Sequence, residues 1–142
     1  MIREAIVTAS LLLASPASSP AAGAAEAPRT VDMTQVVLDQ KGDPVPDATQ
    51  QTPDDPRCTK CGPLTLGAAI AVVLLIDHKD EPNINSLEKA KRAALATKIL
   101  GNKEAVLTPQ QVTEITKLMN IWTPIVISRV LPAIDPTVDL SK

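Results

Sequence analysis

Aromatic residues are almost missing from this 142-residue chain: it has no Phe, no Tyr and a single Trp. That excludes a surface of stacked rings for single-stranded nucleic acid. It also leaves the core to Leu, Ile, Val and Ala, side chains that suit closely packed helices. An excess of either charge is missing too. Fourteen basic and sixteen acidic residues give a net charge of −2, which offers no general electrostatic grip on DNA, RNA or anionic lipid. No apolar run reaches the roughly 20 residues of a bilayer span, since the longest, Leu64 to Ile76, stops well short. A Gly-rich phosphate loop, H-E-x-x-H, G-x-S-x-G and a paired-acid site are all absent. His78 is the single His, and no Ser, Cys or acid is arranged with it in sequence to suggest a triad. These absences leave no cofactor to expect and favour a protein that is not an enzyme.

What is present divides the chain unevenly. Met1 to Ala27 has a charged start at Arg3, an apolar run from Ala5 to Ala14, and small residues at Ala22-Gly23-Ala24 and Ala25-Glu26-Ala27. This has the form of a secretory signal peptide, although Glu4 offsets Arg3. Met33 offers a competing start, which would make residues 1–32 a signal-like or disordered extension. The first alternative implies a periplasmic or secreted protein, the second a virion or host-cytoplasmic one. Residues 33–46 read as a short hairpin, with Lys41-Gly42-Asp43-Pro44 as its turn. Residues 47–62 are polar, rich in proline and without periodicity, a linker loop. Asp54 and Asp55 there lack the alternating ligands and the glycine of a calcium loop.

Residues 63–136 carry the helical domain. Thr65 can cap an apolar helix that Asp77 to Pro82 stops. Asn85, with Glu88 three residues on, opens a second helix with apolar positions at Leu87, Ala90, Ala94, Leu95, Ile99 and Leu100, closed by Gly101-Asn102. Lys89, Lys91, Arg92 and Lys98 fall between them, as a basic or simply solvated face. Thr108-Pro109-Gln110-Gln111 opens a third. Its stripe of Val112, Ile115, Leu118, Met119 and Trp122 breaks near Asn120–Thr123, where Pro124 restarts a short last helix. Pro132 and Pro136 then end the fold. The expectation is a mainly α domain of about four helices, preceded by a short β-hairpin and a disordered N-terminus.

Two places could carry chemistry or contact. Cys58-Thr59-Lys60-Cys61-Gly62 brings two sulfurs within reach of one metal ion or of each other. As a metal site it needs Cys58, Cys61, His78 and a carboxylate such as Asp77. As a redox motif it needs a helix start in a βαβ setting. As a plain loop its thiols are incidental, or paired by oxidation if the chain is exported. Trp122 and Arg129 are the candidate partner contacts, with a core position for Trp122 and a solvated charge for Arg129 as the alternatives.

The order of pieces, a GDPVP hairpin, then PLTLGAAI, SLEKAKRAALATKI, LTPQQVTEITKLM and TPIVISRVLPAIDP, resembles a loosely defined group of small phage and prophage proteins that begin near Met33. The resemblance spans about residues 33–136. It implies a small accessory or assembly protein that acts by protein–protein contact, in the virion or on a host protein, with a second copy of itself as one form of partner. The rival expectation, from the signal-like start and the cysteine spacing, is a small exported protein with a thiol or metal site.

Overall fold

The computed structural model describes residues 27–141. The signal-like run lies in residues 1–26, outside the described residues. The domain is mainly α, with four helices and one two-stranded antiparallel sheet.

The sheet joins β1 (Arg29–Asp32) to β2 (Glu104–Leu107). This corrects the domain boundary expected near Met33. Arg29 pairs with Leu107 and Val31 with Ala105, and Val31, Ala105 and Leu107 turn into the core. Met33 is buried directly behind them. Its N–H donates to the Lys103 carbonyl at 2.8 Å, and its own carbonyl accepts from Gly67 N–H at 3.0 Å.

The expected hairpin is present, though as bridges rather than as regular strands. Val45 N–H donates to the Val37 carbonyl at 2.9 Å, and Gly42 turns the chain with φ of +88°, a conformation that glycine adopts without a Cβ penalty. Pro44 and Pro46 have no N–H to offer, which stops a longer ladder. A third segment closes the layer: Val37 N–H donates to the Leu64 carbonyl, and Leu64 N–H to the Val45 carbonyl.

Helix α1 (Leu66–Leu75) starts at Thr65, whose hydroxyl accepts from Ala68 N–H at 3.1 Å. It is apolar on nearly every face and is buried on nearly every face, with Ala69, Ile70 and Val73 fully enclosed. A short loop returns the chain along α2 (Ser86–Leu100), whose buried residues are Arg92, Leu95, Ala96 and Ile99. Gly67 lets the layers close: a Cβ there would stand 3.1 Å from the Met33 carbonyl oxygen and 3.3 Å from Ile99 Cγ2. Helix α2 ends at Gly101 in a right-handed conformation, not the left-handed one expected of a terminal glycine. Asn102 takes over the capping, its side-chain amide donating to the Lys98 carbonyl at 2.8 Å.

Helix α3 (Pro109–Leu118) has a complete capping box between Thr108 and Gln111. It passes through a single 3-10 turn, Met119–Ile121, and the chain restarts at Pro124 as α4 (Pro124–Ile134). The break falls where the sequence places it, because Pro124 cannot donate to the preceding turn but is suited to a first helical position. Pro132 does not end the helix as expected. It lies inside the last turn of α4, where Val126, Val130 and Ile134 hold the helix against the core despite the lost N–H.

Candidate functional site

The segment read as a linker is tied down by its own polar side chains. Asp47 is buried, and its carboxylate accepts from Thr49 N–H at 3.0 Å, Thr49 hydroxyl at 2.6 Å and Gln50 Nε2 at 3.1 Å. The Gln50 side-chain Oε1 in turn accepts from Gly62 N–H at 2.8 Å. Asp55 accepts from Thr59 N–H, Thr59 hydroxyl and Lys60 N–H, each at 2.8 Å. Those bonds favour its charged form, so its carboxyl lies below the usual range, the Lys60 N–H contributing most. Inside this frame Cys58 and Cys61 are joined as a disulfide.

The expected metal set is therefore not assembled. The sulfurs are bonded to each other. His78 is buried at the end of α1, where Nε2 donates to the Val73 carbonyl at 2.7 Å. Asp77 pairs with Lys89 at 2.9 Å. Among the described residues no group of three or more His, Cys, Asp or Glu side chains could hold a metal ion. The loop has a 3-10 turn in front of the cysteines and no βαβ setting around them, so the thioredoxin-like arrangement is not formed either.

Trp122 and Arg129 both turn to their own chain. Trp122 is half-buried, packed against the core, and its Nε1–H donates to the Ala69 carbonyl at 3.0 Å. Arg129 grips the hairpin: Nε donates to the Leu38 carbonyl at 3.2 Å and Nη2 to the Asp39 carbonyl at 3.0 Å. Each of them thus ties a helix to a distant part of its own chain.

The polar cluster that sequence reasoning missed is centred on Arg92. Counted with the basic face, it is instead buried on the inner side of α2. Its Nη1 stands 2.7 Å from Glu81 Oε2, its Nη2 donates to Glu81 Oε1 at 3.0 Å, and its Nε donates to Glu114 Oε1 at 2.6 Å. Lys117 reaches Glu81 Oε1 at 3.3 Å. One guanidinium thus ties the loop after α1 and helix α3 to α2. The signal was in the spacing: Arg92 precedes Leu95, Ala96 and Ile99 by three, four and seven residues, so it shares their face. The other members of the basic face each have a partner in their own chain. Lys89 pairs with Asp77, Lys91 with Glu88, and Lys98 donates to the Val106 carbonyl.

The Arg92 hydrogen bond, opposed by burial and helped by Lys117, holds the Glu81 carboxyl down at about 2, against an ordinary 4.5. The folded value lies below the unfolded one. The contribution of Glu81 to stability is therefore complete above pH 4.5 and is lost as the pH falls through about 2. Urea unfolding followed from pH 7 to pH 2 should show stability falling across that window, and Glu81→Gln should flatten the fall. An unchanged slope in Glu81→Gln would assign the acid sensitivity to other carboxylates.

Beside Arg92, α2 and α3 bound an open groove of about 390 Å³, lined by Ala94 and Leu95 together with Glu88, Lys91, Lys98 and Glu114. Among the described residues no helix is long and apolar enough to cross a membrane. Comparisons with protein-family models, with curated proteins and with solved structures found no match for this chain.

Proposed function

We propose that the chain is a non-enzymatic contact protein of phage or prophage origin, acting in virion assembly or on a host protein. The observation that carries the contact reading is α2, one wall of the groove. Leu87 at its start and Leu100 at its end are 63% and 59% exposed, on different sides of the helix. The groove itself sets Ala94 and Leu95 among Glu88, Lys91, Lys98 and Glu114, which is the make-up of a contact patch rather than of a nucleic-acid face. The partner is a protein, with a second copy of this chain as one form of it.

The test is affinity capture from cells carrying the source genome, run beside native mass spectrometry of the purified chain. Leu87→Arg with Leu100→Arg should leave folding within about 0.5 kcal/mol, as surface changes do, and should abolish either a captured partner or a self-assembled species. A wild-type chain that is monomeric and captures nothing would overturn the proposal.

A further inference from the structure

Cys58 and Cys61 close a small ring in the loop that runs from Asp47 to Gly62. Three features separate this bond from a buried structural staple. Both cysteines are half-exposed, and neither belongs to the apolar core. Cys58 has φ of 57°, the one non-glycine residue among those described with a positive φ. A residue with a Cβ holds that conformation at a cost, and only while its surroundings enforce it. Exposed Arg57 precedes Cys58 and exposed Lys60 precedes Cys61 in sequence, and cationic neighbours favour a thiolate. Disulfides that are strained or open to solvent are the ones that exchange.

We propose that Cys58–Cys61 is a reversible thiol–disulfide exchange site whose substrates are thiol reductants. The inference goes beyond the contact reading and does not depend on it. Cys58 Sγ lies 3.5 Å from the Asp47 carbonyl oxygen, whose lone pairs repel an approaching thiolate, so attack falls on Cys61 Sγ. A new sulfur–sulfur bond forms there and the Cys58–Cys61 bond breaks. The electron pair leaves on Cys58 Sγ, which takes a proton from solvent and can then donate its S–H to the Asp47 carbonyl. A second thiolate attacks the mixed disulfide and releases Cys61 as a thiol. Two thiols become one disulfide, and the protein gains two electrons and two protons. Cys58 is then free to leave its left-handed conformation.

The experiment uses the folded full chain in glutathione buffers of increasing reduced-to-oxidised ratio, without denaturant, read by mass and by trypsin, which cuts after Arg57 and Lys60. The expected result is reversible uptake of two hydrogens with the helical circular-dichroism signal retained, and cleavage in the loop about tenfold faster in the reduced form, since cleavage follows the opened population. Rapid quenching should find glutathione on Cys61. A disulfide that resists the most reducing buffer and opens only once the helices unfold would overturn the proposal. Glutathione found on Cys58 would overturn the assigned direction of attack.

Discussion

Arg92→Ala is expected to lower the stability of the fold by about 3 kcal/mol, the lower end of the range for breaking a buried ion pair, and to lower Tm by about 10 °C. The loss is not the worth of one surface salt bridge. Removing the guanidinium leaves Glu81 and Glu114 facing the same space, with only the exposed Lys117 to answer them. Glu81 Oε2 already lacks an aligned hydrogen bond and relies on its ionic contact with Nη1, so it has no reserve partner within the cluster. Arg92→Lys should recover only part of the loss, because an ammonium cannot serve both Glu81 oxygens and Glu114 in the fork that Arg92 uses. The decisive measurement is a double-mutant cycle of Arg92→Met with Glu81→Gln by urea unfolding at pH 7. Strong coupling places the energy in the pair; strict additivity would mean that Arg92 acts through the packing of its stem alone.

Ile70→Ala is expected to cost about 3 kcal/mol, within the usual span for truncating a buried isoleucine. Ile70 lies in the middle of α1 with no accessible surface, and α1 packs against α2, α3 and the 3-10 turn after α3. The surrounding side chains belong to separate elements, so they cannot all move to fill the space, and a cavity remains. Leu75 is the control: it sits at the end of the same helix but is 56% exposed. Leu75→Ala should stay within about 0.5 kcal/mol. Equal losses at the two positions would mean that α1 has a partner-covered face near its end, and the stability difference should then depend on protein concentration.

Several parts of this fold were legible residue by residue. Thr65, Asn85 and Thr108 each cap the helix that follows, because a short oxygen-bearing side chain can reach the N–H groups left open at a helix start. Pro124 restarts the last helix for an equally local reason. The apolar character of α1 on every side foretold its burial. Other parts were not legible. β1 and β2 carry four residues each and find each other across more than seventy positions; a tetrad such as RTVD has too few alternations to stand out. Asp47 and Gln50 gave no sign in composition that they would order the loop around the cysteines. The proposed site shows the same division. The spacing of Cys58 and Cys61 announced that the sulfurs could meet, while the left-handed backbone of Cys58 and the position of Asp47 beside it belong to the folded loop.

Where the four helices begin, that their core is aliphatic, and that the net charge is only −2 were all readable from the residues without the fold. Those are consequences of hydrogen-bond geometry, side-chain volume and Coulomb's law acting within a few residues or on the whole composition. Only the packed fold shows that Arg92 is an internal tie rather than part of a basic face, that Trp122 and Arg129 donate to the carbonyls of Ala69, Leu38 and Asp39, and that His78 bonds back to Val73 at the end of α1. Each of those outcomes depends on which carbonyl or carboxylate arrives from a distant part of the chain. Local propensity carries no record of that arrival, because the partner is chosen by the packing of the helices against one another.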